Sequence, residues 1–437
     1  MAYQIRITGQ LDARWADWFA GLTITLDGGD TLITGPVVDQ AALHGLFKRV
    51  RDLGMPLVSV SPVESGPPTT LGTGLAGVSD VESNVGVGGS STSTSPQQEI
   101  EKEYGRTNRR PMRAIVCTDY GPPDVLQLRD VPKPVPKDNE VLVRIRATTV
   151  STADCELRRF DFAPWIWVPI RLGFGIRRPR QPVLGQELAG DVELAGREVR
   201  SLRKGDRVFA ATGIPLGAYA EYICLRENPH TGAIATMPAN LGYEEAAAVP
   251  YGGGEALQFL RKADVQSGQR VLVNGAGGSF GTFAVQLAKD LGAHVTAVDR
   301  APKLEMLRTI GADRVIDYAQ EDFTRGPETY DVIFDVVRKT PSGRMVRSLT
   351  ESGTLLMANP GFLQIVRARW ASRGSRKRVS FAASGVTNED LAHLRALIEA
   401  GRLRPVVDRS FPLEQMVEAH RYAESGQKLG NVVVVVA

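Results

Sequence analysis

The sequence predicts an α/β fold, a doubly wound parallel sheet, with a small α+β domain tethered ahead of it. Three observations carry the prediction. Residues 271–299, VLVNGAGGSFGTFAVQLAKDLGAHVTAVD, open with an apolar run and break at Asn274 into glycines. They continue as a helix-patterned segment over about 282–291 and close with a second apolar run, 295–298, that ends on Asp299. Further strands predicted at 314–316, 331–336, 353–357 and 379–382 alternate with helical segments, as a doubly wound sheet requires. Upstream, residues 1–62 carry a strand and helix pattern of their own, cut off from the rest by a stretch that cannot fold alone.

Taken in order, residues 3–8 alternate as a strand, and Asp12 caps a short helix bearing Trp15, Trp18 and Phe19. Residues 22–26 and 31–34 read as a hairpin about the turn Asp27-Gly28-Gly29-Asp30. Asp39 caps a helix to about Leu53, apolar at Ala42, Leu43, Leu46, Phe47 and Val50, and 57–60 is a closing strand. The order βαββαβ predicts a ferredoxin-like sandwich. It resembles short uncharacterised bacterial proteins with the same pattern, and that likeness lends no activity. His44 and the two tryptophans read as packing residues, because aromatics dominate the core of so small a unit. Residues 63–111 include GPPTTLGTGLAGVSDVESNVGVGGSSTSTSPQQ, crowded with Gly, Ser, Thr and Pro. Such a segment buries too little apolar area to offset its chain entropy, so a disordered linker is expected.

Length and composition bound the rest. At 437 residues the chain is too long for one ordinary core. A formal net charge of +3 implies no general attraction to nucleic acid or membrane. Cys117, Cys155 and Cys224 are far apart and form no C-x-x-C pair, which argues against disulfides and a cysteine-rich zinc lobe. The first residues carry an early acid and no long apolar run, so no signal peptide is expected. No window reaches eighteen uninterrupted apolar residues, and a cytoplasmic protein with no membrane span is predicted.

The glycine turn at 274–281 carries chemistry. A turn that lets backbone approach a pyrophosphate needs small residues, and the helix behind it offers unpaired N–H groups and its positive dipole end to the anion. Gly275, Gly278 and Gly281 at spacing three suit that job, with Ser279 and Phe280 inside the same turn. Asp299, ending the second strand, stands where an acid hydrogen-bonds the adenosine ribose diol. The unit therefore predicts a bound nicotinamide dinucleotide.

The spelling G-x-x-G-x-x-G, with Ala276 beside the first glycine, resembles the medium-chain dehydrogenase/reductase superfamily, and within it the zinc-independent quinone oxidoreductase (zeta-crystallin-like) branch. The likeness runs from about Met112 to the C-terminus through VLGQELAGDV (183–192), GAYAEY (217–222), AAAVPYGGGEAL (246–257), GADRVIDY (311–318) and EAHRYAESGQKLGNVVVVV near the end. It implies a GroES-like β-barrel catalytic domain over 112–237, a Rossmann dinucleotide-binding domain over 238–385, and a return segment, 386–437, completing the catalytic domain. The substrate cleft is expected between them, and a homodimer is expected.

In zinc-dependent relatives Cys, His and Cys hold the metal. Matched by motif, those positions here are Ser151, Gln186 and Tyr251, none a good zinc ligand. The resemblance thus implies hydride transfer from NADP(H) or NAD(H), with no zinc, to a quinone or α,β-unsaturated carbonyl. Ser151, Asp154, Gln186 and Tyr251 are the candidates lining the nicotinamide pocket, and Tyr251 is the neutral donor able to support an oxyanion. Glu255 departs from the Thr usual in relatives. Around the cofactor's 2′-position the signals oppose each other: Asp299 favours NAD, whereas Lys303 and Tyr318 match positions that grip a 2′-phosphate and Arg300 adds positive charge. Two basic stretches with aromatics, 160–180 and 367–378, read as a lid and a solvated loop rather than as nucleic-acid or membrane surfaces. An alternative reading is a non-catalytic dinucleotide-sensing or crystallin-like binding protein that uses the N-terminal domain as its interaction module.

Overall fold

The computed structural model describes residues 2–8, 11, 19, 22–27, 29–36, 46, 50, 57–63, 111–162, 167–337, 340–358, 360–381 and 385–436. The chain divides into two units, Met1–Ser91 and Thr92–Ala437. Strands β1 (Ala2–Thr8), β2 (Thr23–Asp27), β3 (Asp30–Pro36) and β4 (Leu57–Val63) form one antiparallel sheet in the order β2-β3-β1-β4. That is the order a βαββαβ chain must take, since the crossover from β1 to β2 leaves the slot that β3 fills. Ile5 pairs with Ile33 across the sheet, and both close with Ile7 on Leu11, Phe19, Leu22, Leu46 and Val50. Leu46 and Val50, one helical turn apart, are the inward residues of the expected helix. Trp15, Trp18, His44 and the 64–110 segment lie outside the described residues.

In the second unit, β5 (Pro111–Cys117) and β6 (Leu126–Pro132) form a separate ribbon. The eleven-residue strand β7 (Glu140–Val150) is the spine of a mixed sheet. It carries β8 (Glu187–Ala195) and β10 (Tyr222–Arg226). Beyond β8 come β9 (Arg207–Ala211) and β11 (Ala233–Thr236).

The six strands of the parallel sheet are β12 (Arg270–Asn274), β13 (His294–Asp299), β14 (Arg314–Asp317), β15 (Tyr330–Asp335), β16 (Leu349–Met357) and β17 (Arg378–Phe381). Their order, β14-β13-β12-β15-β16-β17, reverses direction between β12 and β15. A dinucleotide binds at such a switch point. Alternate residues of each strand feed opposite faces. Val271, Val273, Ala297 and Phe334 join one apolar cluster, whereas Leu272, Val298, Ile333 and Leu355 join another. Burial on both faces explains why these strands read as continuous apolar runs.

The chain then returns to the mixed sheet. β18 (Val407–Pro412) lies parallel to β19 (Asn431–Val435), and β19 pairs antiparallel with β7, Val432 opposite Val150. Among the described residues no helix is long and apolar enough to cross a membrane.

Candidate active site

β12 ends at Asn274, whose amide donates to Asp335 Oδ1 (2.7 Å) and Thr340 Oγ1 (3.0 Å), tying two strand ends together at the switch point. Burial pushes the Asp335 carboxyl up to about 7. The chain next turns at Gly275 with φ +85°, a left-handed conformation that costs glycine nothing. A side chain on Gly281 would collide with the Gly275 carbonyl, so the helix Ser279–Asp290 abuts the turn directly. No side chain caps that helix at Gly278. A Cβ on Gly278 would meet nothing nearer than 3.7 Å, so the turn is open on that side, the access that an anion at a helix N-terminus needs.

Asp299 stands at the end of β13 as expected, but its carboxylate is already engaged. Oδ2 accepts from the Gly277 N–H (2.8 Å), Oδ1 accepts from the Arg300 N–H (2.9 Å), and Lys303 Nζ lies 3.5 Å from Oδ1. It staples the glycine turn to the second strand. Arg300 Nε donates to the Tyr318 hydroxyl (2.8 Å), and Tyr318 is half exposed, so these two form an open polar wall beside the buried Lys303. Ser279 Oγ accepts from Lys428 Nζ (2.9 Å), and the Phe280 ring packs on Tyr251 at 5.4 Å between centroids. Lys428 escaped the sequence reading. Its buried ammonium also donates to the Gly430 carbonyl (3.1 Å), and burial pushes its pKa down to about 8.

The structure brings Ser151, Asp154 and Gln186 together. Ser151 caps the helix Thr152–Arg159: its Oγ accepts from the Asp154 N–H (3.1 Å) and donates to Asp154 Oδ2 (2.6 Å), while its own N–H donates to the same oxygen (2.9 Å). Gln186 Nε2 reaches Ser151 Oγ and Asp154 Oδ1, each at 3.4 Å. Burial drives the Asp154 carboxyl up in pKa against these hydrogen bonds. Ser151 and Asp154 are thus a positioning network whose outer member is Gln186.

Tyr251 opens the helix Pro250–Ala263 beside them, and burial, then the charge of Glu255, raises its phenol. Its backbone N–H donates to Glu187 Oε2 (2.7 Å), and Glu187 Oε1 accepts from the Thr149 hydroxyl. Glu187 therefore joins the ends of β7 and β8 to the helix, and burial lifts it to about 7. Gln186, Tyr251 and Glu255 line a cavity of about 650 Å³ with Leu157, Phe174 and His230.

The donors at the three metal-ligand positions do not fit a zinc. Ser151 and Gln186 are committed to Asp154, Tyr251 is a neutral phenol, and both Glu187 oxygens are engaged. Elsewhere, ligand atoms of Cys155, His420 and Glu424 lie within 4.8 Å of one another. There the Arg158 guanidinium pairs with Glu424 and its Nε stands 3.3 Å from His420 Nδ1, so this buried cluster already holds its cation.

Fold, glycine turn and cleft together define a dinucleotide-dependent oxidoreductase. Comparison with known proteins agrees. Residues 137–234 match the alcohol dehydrogenase GroES-like domain, residues 310–434 match a family described as zinc-binding dehydrogenase, and residues 2–61 match a domain of unknown function. The chain is 31% identical over 340 residues to the 2-methylene-furan-3-one reductase of Solanum lycopersicum, covering 74% of this chain and 79% of that protein. It is 30% identical, over the same shares, to the chloroplastic NADPH-dependent alkenal/one oxidoreductase of Arabidopsis thaliana. A solved quinone oxidoreductase from Coxiella burnetii superposes with a TM-score of 0.67 at 27% identity, covering 75% of this chain and 100% of its own. The chain belongs to the medium-chain dehydrogenase/reductase superfamily, with an added N-terminal domain. It is an oxidoreductase whose redox partner is a nicotinamide cofactor.

Proposed function

We propose that this protein is a zinc-independent, NADPH-preferring reductase of quinones or α,β-unsaturated carbonyls. The observation that carries the reading is the pocket floor. Where a Lewis acid would be held, Ser151, Asp154 and Gln186 hydrogen-bond one another and Tyr251 presents a neutral phenol. Such a floor can orient an acceptor and donate one hydrogen bond, which suffices only when the product anion is delocalised. The nicotinamide supplies the hydride when bound. The Tyr251 hydroxyl then donates to the acceptor oxygen, Gln186 lines the cavity beside it, and the proton that completes reduction comes from solvent through the cavity mouth. The names of the tomato and Arabidopsis relatives, an enone-type reductase and an alkenal/one oxidoreductase, support this acceptor class.

NADPH is preferred because Asp299 is spent on the glycine turn and neutralised by Lys303, while Arg300 and Tyr318 stand open beside it. The test is turnover by purified protein of a naphthoquinone and an enone with NADPH and NADH, alongside metal analysis. Both acceptors should be reduced, NADPH should win, and chelators should leave the rate unchanged. Stoichiometric zinc with chelator-sensitive turnover would overturn the reading, as would oxidation of simple alcohols without enone reduction.

A further inference from the structure

The loop that follows the helix Trp167–Phe174 is short, basic and held in place. Gly175 turns it with φ +121°, where a side chain would collide with the Arg178 carbonyl, and the Arg180 N–H closes it on the Phe174 carbonyl (2.7 Å). Two further bonds fix it: the Tyr120 hydroxyl donates to the Gly175 carbonyl (3.0 Å), and Arg171 donates to that of Ile176. Arg171 also stacks on the Phe160 ring, 4.0 Å from its centroid, and is spent on structure. Arg177, Arg178 and Arg180 are not. All three are exposed, none makes an ion pair among the described residues, and no acid occurs between Asp161 and Glu187. Residues 175–180 alone line a hollow of about 700 Å³. Phe174, one residue upstream, lines the cavity of Gln186 and Tyr251. Three unpaired guanidiniums thus start one residue from the wall of the acceptor cavity.

We propose that residues 175–180 form an anion subsite for the acceptor, taking the phosphate monoester tail of a quinone or α,β-unsaturated carbonyl whose reducible end lies in the cavity beside Gln186 and Tyr251. The subsite presupposes the reaction proposed above and adds the charge of its substrate. A phosphate monoester brings about 1.5 to 2 negative charges and three acceptor oxygens, a match for several guanidinium forks at once. Glu255 and Glu389 line the cavity itself, so an anionic tail is turned away from them toward the arginines and the neutral carbonyl end enters. The cofactor's phosphates fall instead to the open glycine turn and to the corner of Lys303, Arg300 and Tyr318 at the ends of the parallel strands. Nucleic acid would meet the charge, but none of the residues lining the hollow offers a ring on which a base could stack. A loop already fixed by its own hydrogen bonds also loses little freedom when the anion binds.

The experiment uses a matched pair, a naphthoquinone bearing a short hydroxyalkyl tail and the same compound phosphorylated on that hydroxyl. With NADPH and the full chain, kcat/KM for the phosphate ester should exceed that for the alcohol by about tenfold or more, through KM, and the advantage should shrink as salt rises. The variant R177Q/R178Q/R180Q should bring the ratio to about one, without change in melting temperature or NADPH dissociation constant. A second pair, an enoyl thioester of pantetheine and of phosphopantetheine, separates a carrier thioester from a free phosphate ester as the source of the tail. Arginine-dependent preference for the phosphorylated member of either pair supports the subsite. Equal kcat/KM within both pairs overturns it, as does a variant that keeps the wild-type ratio. A variant that weakens NADPH instead would give the loop to the cofactor, and arginine-dependent RNA binding without preference in either pair would give it to nucleic acid; both overturn the proposal. Should neither pair be reduced, titration of the phosphate ester into the NADP⁺ complex decides. Binding that the arginine variant abolishes keeps the subsite and sinks the proposed reaction alone, whereas no binding sinks both.

Discussion

Glu255 gives the sharpest test of the proposed chemistry. It lies one helical turn beyond Tyr251 and lines the same cavity, and burial together with Asp390 lifts its pKa to about 7. Below that pH it is neutral; above it, the carboxylate faces the place where the acceptor oxygen gains charge. One helical turn separates side chains by about 6 Å. Two unit charges at that distance repel by roughly 1.4–2.8 kcal/mol for effective dielectric constants of about 40 down to 20, which is about tenfold to a hundredfold in rate. The same repulsion is visible in the raised Tyr251 phenol, for which Glu255 is the leading charge. We therefore expect kcat/KM for an enone to fall about tenfold or more between pH 6 and 8.5, and Glu255→Gln to flatten the profile at its acid-limb value.

Stability should move in the same sense. The folded state holds this proton more tightly than the unfolded chain, whose Glu titrates near 4.5. That contribution is complete below about 4.5 and is lost as pH rises through about 7, so Glu255→Gln should melt higher than wild type at pH 8. The assay is a pH series of initial rates with paired thermal melts. A Glu255→Gln enzyme that keeps the wild-type slope would refute the argument and move the titration to Glu187 or Asp335, which burial also lifts to about 7.

Three further outcomes follow from the cofactor side. Asp299→Ser, which removes the Gly277 staple, should weaken NADPH and NADH together by about tenfold, whereas Lys303→Ala should weaken NADPH alone; loss of NADH binding only in the Asp299 variant would restore a ribose-diol role. Lys428→Met should raise the NADPH dissociation constant about tenfold at pH 7 and abolish the weakening expected as wild type passes pH 8, where the ammonium is lost; fluorescence titration across pH reads both, and an unchanged curve removes Lys428 from the site. A chain beginning at Arg110 should retain dinucleotide binding, because the unit from Thr92 onward has its own cores; an insoluble product would show that the N-terminal unit completes one.

The parallel sheet was legible in the sequence because its strands are buried on both faces, leaving little room for polar residues in 271–273, 295–298 or 332–334. The N-terminal sheet order was legible for a different reason: a hairpin and two crossovers leave that chain one sensible arrangement. The cofactor turn was legible because backbone approach to a phosphate restricts residue type locally. What stayed hidden depends on contacts across long sequence separations. Lys428 meets Ser279 across 149 residues, and no local pattern distinguishes it from a surface lysine. Asp299 was found by position, but its hydrogen bond to Gly277 is a matter of side-chain direction, which spacing does not encode.

Glu187 shows how the hidden and visible parts combine. Adjacent to Gln186 it is one more acid beginning a strand, and a single carboxylate cannot build a metal site. In the fold it bridges Thr149 and the Tyr251 N–H, spanning the ends of β7 and β8 and the start of the helix Pro250–Ala263. These segments also carry Ser151, Gln186 and Tyr251, the positions where relatives place metal ligands. A metal bound there would cross-link the same three segments. Here the cross-link is made by Glu187 and by the Ser151–Asp154–Gln186 network, both buried and hydrogen-bonded, so the pocket keeps its shape with protein groups alone. The same arrangement limits the chemistry. A carboxylate committed to backbone and hydroxyl donors can orient Tyr251 but cannot polarise a carbonyl, which is why the proposed reaction calls for an acceptor that brings its own delocalisation.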